Sequence, residues 1–158
     1  MTPTLLTNKS LEDKMRTLDV TIVVADVPNK NKRVYPMSTC LALVEQANKK
    51  KKWPGTMNRP IGRASDADIK ALTSVRVKDV SHQISNFRME GSELKATVTI
   101  VNTPAGHVLN NMIEAEIEMA FRIFGEVKLR LCEKNDSRMI VDQCKMIEVV
   151  AMPAELAA

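Results

Sequence analysis

Aromatic residues are scarce in this 158-residue chain, at 3%, and Trp53 and Tyr35 are each the only one of their kind. That scarcity removes the stacking platform on which single-stranded nucleic acid is usually held. Ten methionines take over part of the filling; Met is unbranched and adapts to irregular cores. Cysteine is also sparse. Cys40, Cys132 and Cys144 are odd in number and form no C-x-x-C pair, and there are two histidines, His82 and His107. This excludes a disulfide framework and a zinc site of recognisable spacing. No metal and no cofactor is expected. Free thiols fit a reducing, cytoplasmic origin. No run reaches the roughly 18 apolar residues of a membrane helix, and the N-terminus lacks a basic-then-apolar signal. The expectation is a chain made soluble inside a cell, with no membrane partner.

What is present suits one ordinary domain. A chain of this length buries roughly two thirds of its unfolded surface and needs no covalent staple. The formal net charge is +4, and Lys49 to Lys52 supply much of it. Such a run serves equally well as a solvated helix end, where positive charge complements the helix dipole. Nucleic acid is therefore not an expected partner.

Residues 1–16 read as a polar N-terminal arm, 17–153 as the domain and 154–158 as an alanine-rich tail. Leu18 to Val27 is rich in β-branched residues and reads as a buried strand. Asn29 to Lys32 is turn chemistry. Ser38 is placed to cap a helix over Cys40 to Lys49, which Trp53-Pro54-Gly55 ends. Ser74 to Glu90 reads as one long strand with a bulge near Asp79 to Ser81. Glu90-Gly91-Ser92 is a hairpin turn. Leu94, Ala96, Val98 and Ile100 then alternate with polar residues, the clearest strand pattern in the chain. Thr103 caps a second helix with Pro104 at its first position, and Val108, Leu109, Met112 and Ile113 form its apolar stripe. From Ile117 the period changes to two, and Met119, Phe121 and Ile123 alternate with Ala120 and Arg122. A last strand covers Arg138 to Val150, broken near Gln143. The expected fold is α+β: a mostly antiparallel, barrel-like sheet with two main helices.

Several residues are candidates for chemistry. Ser81 and His82 are a tempting nucleophile and base, but neighbours on a strand point to opposite faces and would not meet. His107 sits in a helix's first turn, where the dipole disfavours its charged form. Ser65, Asp66 and Asp68 read as a capping cluster, and with Asp79 they have no metal-loop spacing.

The order of several segments resembles the phage prohead (procapsid maturation) proteases, a family related to the herpesvirus assemblins. These segments are PNKNKRVYP, a loop with Arg59-Pro60, VSHQISNF, EGSELKATVTIVNTPAGHVLNNMIEAE, MAFRIFG and a strand ending IEVVAMP. The resemblance covers roughly Val20 to Pro153. It implies a serine protease whose nucleophile opens an S-x-R-G motif after the second helix, with a histidine before a proline as base. Nucleophilic catalysis needs an activated hydroxyl and donors for the oxyanion.

The chain departs from that pattern where chemistry would occur. The serine position falls on Ala120, which has no nucleophile. The histidine position falls on Arg59, which stays protonated and is no base. The motif's last glycine falls on Ile123, and two preceding glycines fall on Glu116 and Glu118. Glu148 stands where a carboxylate would complete the set. Arg122, the motif's arginine, and His82 are the candidate binding residues. The resemblance with these losses points to a non-catalytic, capsid-associated virion head protein, assembled in the host cytoplasm. It would bind major capsid or scaffold and core proteins, as a decoration, cement or internal component, with self-association left open. The alternatives are an active prohead serine protease cleaving scaffold and capsid proteins, and a regulatory pseudoprotease partner of one.

Overall fold

The computed structural model describes residues 16–57, 79–131 and 138–156. Arg59, Cys132, the Ser65 cluster and the N-terminal arm up to residue 15 lie outside the described residues. So do residues 74–78 of the expected long strand and the last two residues of the tail.

In chain order the elements are β1 (Thr17–Val24), β2 (Arg33–Val34), α1 (Met37–Ala47), β3 (Trp53–Thr56), β4 (Val80–Glu90) and β5 (Glu93–Ile100). Then come α2 (Pro104–Glu114), β6 (Met119–Leu131), β7 (Met139–Pro153) and a closing 3-10 turn at Ala154–Leu156. The strands form two sheets, ordered β1-β5-β4-β3 and β2-β7-β6. Every pairing within the sheets is antiparallel except β2 with β7. The α+β expectation stands, but the barrel does not. Among the described residues one parallel bridge, Met57 to Ala151, lies beside the two sheets, and no ladder joins them into a closed barrel.

The hairpin β4–β5 forms where the turn chemistry places it. Gly91 takes φ +62°, the left-handed conformation a two-residue turn requires. Leu94, Ala96, Val98 and Ile100 are all sealed from solvent, so one whole face of β5 is core. β4 is irregular at two places: its register with β3 skips Ser81, as expected near Asp79 to Ser81, and its register with β5 shifts between Ser85 and Arg88. Asn86 there has φ 54°, a conformation Asn tolerates better than most residues. This shift reconciles Ile84 with Phe87, both buried.

The N-cap of helix α1 lies two residues earlier than expected. Pro36 is the N-cap, without a side-chain hydrogen bond, and Ser38 lies inside the first turn. The lysines fall beyond the helix, which ends without basic residues in its last turn. Lys50 Nζ instead lies 4.4 Å from the centre of the Trp53 ring. On its buried side α1 grips β7: Thr39 Oγ1 donates to Val141 O at 2.7 Å. The Gln46 amide donates to Cys144 O and accepts from Met146 N.

Helix α2 begins as the sequence indicates, with the Thr103 hydroxyl accepting from Gly106 N at 2.9 Å and Pro104 in the first turn. The stripe is narrower than expected. Leu109 is fully buried, whereas Val108 is 52% exposed, because α2 packs only on the β4–β5 side.

The long ribbon β6–β7 carries two register shifts, opposite Phe124/Gly125 and Lys128/Leu129. Each skips one residue of β7, Ile147 and Asp142. The core-facing sequence of β7 therefore runs Val141, Cys144, Met146, Val149, Ala151 instead of strict alternation. A bulge turns the following side chains to the other face.

Candidate functional site

Helix α2 delivers the chain to β6 through Glu116, which holds φ 63°. Glycine adopts that backbone without a Cβ penalty, and this is one of the two positions where the motif that the sequence resembles carries a glycine. From Met119 onward the strand sorts its residues by face. Met119, Phe121 and Ile123 pack into the main core. Ala120, Arg122 and Phe124 stand opposite Met152, Val150 and Glu148 of β7. Ala120 and Phe124 join Val150 and Met152 in a small apolar cluster separate from the main core. Ala120 thus lies on the face away from the core, as its phase predicts.

Glu148 is fully buried. Its Oε1 accepts two hydrogen bonds from one residue, the backbone N–H of Thr56 at 2.8 Å and its hydroxyl at 2.7 Å. The carboxylate thereby pins the end of β3 against β7, next to the Met57–Ala151 bridge. A charged acceptor makes each of these bonds stronger than a neutral pair would.

Ser81 and His82 do meet. Ser81 Oγ lies 2.7 Å from His82 Nδ1, and His82 Nε2 lies 2.8 Å from Val149 O. A carbonyl only accepts, so Nε2 carries the proton and donates to Val149; Nδ1 is left to accept the serine hydroxyl. Sequence reasoning separated these residues because strand neighbours diverge. Nδ1, however, is the ring nitrogen nearer the backbone, and the short Ser81 hydroxyl reaches it. Both residues are completely buried. The imidazole also meets Phe121 edge-on, with centroids 5.5 Å apart. Burial pushes its pKa down to about 4, only partly offset by the Val149 carbonyl. His82 is a neutral core residue that ties β4 to β7. That position does not suit the binding role expected of it.

The other titratable groups lie beside Arg122. Tyr35 is buried and its hydroxyl is pushed up to about 12, chiefly by burial and further by the nearby Cys144. Burial lowers the proton affinity of Arg122; Tyr35 opposes that and Arg33 adds to it. Arg122 and Tyr35 line a cleft of about 250 Å³ together with Thr21, Ile22, Val23, Val24, Val27, Pro28 and Asn29. The free thiols Cys40 and Cys144 are buried and raised to about 11, chiefly by burial, so at neutral pH they stay protonated and unreactive. Among the described residues no three His, Cys, Asp or Glu side chains are placed to share a metal ion, and no helix is long and apolar enough to cross a membrane.

No family model and no curated protein sequence matches this chain. A solved structure does: the bacteriophage T4 capsid assembly protease, gp21, superposes with a TM-score of 0.71 at 19% identity, covering 86% of this chain and 80% of that one. The fold is phage prohead protease-like. In this chain Ala120 and Arg122 lie at the start of β6, and Glu148 is opposite Phe124 on β7. Sequence reasoning missed the cleft at Arg122 because Tyr35 and β1 are remote from β6 in the chain. It also missed Thr56, whose only signal was its position just after Gly55 in a segment read as loop.

Proposed function

We propose that this chain is a non-catalytic, capsid-associated protein that keeps the prohead protease-like fold as a binding scaffold. The observation that carries the reading is Ala120. It occupies the outward-facing position at the head of β6 where the motif would carry its serine, and a methyl group attacks nothing. The protein of similar fold is by its description a capsid assembly protease, so capsid or scaffold proteins are the natural class of partner. A fold that docks on such proteins to cut them already has a surface for them, and it keeps that surface when the nucleophile goes. On this reading the protein belongs to the head of a phage particle, as a decoration or internal component.

One observation favours the second reading, an active protease: the 2.7 Å contact of Ser81 Oγ with His82 Nδ1. Three facts weigh against it. Neither side chain reaches solvent, the imidazole's other nitrogen is committed to Val149 O, and the Gly55 backbone closes over the ring. A substrate carbonyl has no way to approach the hydroxyl in this conformation.

The test is to incubate the purified chain with capsid and scaffold proteins, and separately to quantify it in purified particles by mass spectrometry. Binding without cleavage, and a stoichiometric presence in particles, is the expected result. Cleavage lost in a Ser81→Ala variant establishes the protease instead. Absence from finished particles moves the chain to an assembly factor.

A further inference from the structure

The cleft at Arg122 has the features of a docking site for an extended chain. Four consecutive residues of β1, Thr21 to Val24, line it. The register of β1 with β5 shifts between Thr21 and Val23, so the strand is bulged at Ile22 and presents consecutive residues to the cleft. Among the described residues β1 is an edge strand, paired only with β5. The opposite wall includes Arg122 of β6, itself the outer strand of the other sheet. The cleft lies where β1 and β6 approach one another without forming a ladder.

Its chemistry is asymmetric. The rim carries Val24 and Val27, 38% and 52% exposed. Its polar lining includes Arg122, Tyr35 and the exposed Asn29, whose Oδ1 is engaged by the N–H groups of Asn31 and Arg33 and whose Nδ2 remains a donor. No acidic residue lines it among the described residues, and Arg33 is close enough to repel the Arg122 charge. Arg122 already has an interaction within the chain; the five donors of a guanidinium leave room for a second, forked one.

We propose that this cleft binds an extended segment of another protein, which adds as a strand to the free edge of β1 and sets an acidic side chain against Arg122. Backbone pairing supplies general affinity, and the arginine supplies selection. The inference rests on the binding reading above, and gives that reading a location and a partner chemistry.

The test uses the full chain and two capped peptides of about eight residues, a length that spans an ordinary strand. Both are rich in Thr and Val; one has a central Glu and its twin a Gln. Calorimetry gives the affinities, and backbone amide shifts of Thr21 to Val24 give the location. The Glu peptide is expected to bind about tenfold or more tightly than its twin, the scale of one charge-assisted pair. Arg122→Gln removes the difference. Val27→Asp, on the exposed rim, weakens the Glu peptide while leaving the fold intact, and so covers the case in which the Arg122 variant misfolds. Equal affinities, no binding, or shifts away from β1 overturn the proposal. Binding that appears only after residues 1–15 are removed also overturns it, by naming the chain's own arm as occupant. If the chain binds capsid proteins and Arg122→Gln does not weaken that binding, the cleft proposal fails and the function stands. Peptide binding without capsid binding gives the converse.

Discussion

Ser81 and His82, adjacent on β4, are hydrogen-bonded to each other inside the core, with the serine hydroxyl donating to Nδ1 across 2.7 Å. The ring's far nitrogen donates to Val149 O. The bonds make a joint between the two sheets at a place where no strand pairing joins β4 to β7. Its protonation state follows: both ring nitrogens are committed, one as donor and one as acceptor, so the neutral ring fits and the imidazolium does not.

Stability should therefore depend on acid. The His82 pKa falls from the ordinary 6.5 to about 4 on folding. Between those values the unfolded chain binds the proton and the folded one does not, so stability is full above about pH 6.5 and is lost as pH falls toward 4. The shift corresponds to about 3 kcal/mol. Urea denaturation at pH 7 and near pH 4 should show that loss, and a His82→Gln variant should lose most of the slope in this interval. An unchanged slope in the variant would assign the effect to other groups.

Gly55 is required by the same joint. A Cβ there would overlap His82 Nε2 and come within 2.5 Å of Val149 O. Gly55→Ala must displace the ring or the β7 backbone, and both are packed. A destabilisation of about 2–3 kcal/mol or more is expected, read as a lowered denaturation midpoint. A neutral result would mean the β3–β4 approach is looser than the structure shows.

Glu148 should tolerate amidation better than truncation. Its Oε1 accepts both bonds from Thr56, and Gln keeps an oxygen for them. Glu148→Ala leaves the buried Thr56 N–H and hydroxyl without that acceptor, which costs about 2–4 kcal/mol. Thermal melts of the two variants against the parent check the order. Equal losses would show that the negative charge, not the acceptor geometry, matters.

Restoring a hydroxyl should not restore a protease. Ala120→Ser is expected to fold and to show no turnover on capsid, scaffold or model peptides. By the motif resemblance the base position falls on Arg59, an arginine stays protonated at neutral pH, and a serine without a base is a weak nucleophile. Measurable cleavage by this single variant would contradict both the assignment of the site and the non-catalytic reading.

The local elements were legible where one physical rule governed them. The alternation of Leu94 to Ile100 is the burial pattern of β5. Gly91 marks its turn, and Thr103 with Pro104 marks the start of α2. The period change after α2 puts Ala120 on the outer face and Phe121 in the core, as found. These features depend on residues within a few positions of one another, so side-chain type and spacing suffice.

The rest depended on partners distant in the chain. The two bulges in β7 re-aim its side chains twice, and only the pairing with β6 reveals them. Glu148 finds Thr56 from 92 positions away, and Val149 caps a histidine 67 positions earlier. The Ser81–His82 contact defeats the alternation rule because the register of β4 with β3 skips Ser81, and the serine hydroxyl reaches the ring nitrogen nearer the backbone. The sheets stay open between β1 and β6, although period-two patterning is the same for a closed barrel and an open pair. Composition, periodicity and the motif order were enough to point to an α+β chain of prohead protease-like fold. Tertiary packing decided which polar residues were sealed as joints and which, like Arg122, were left lining a cleft.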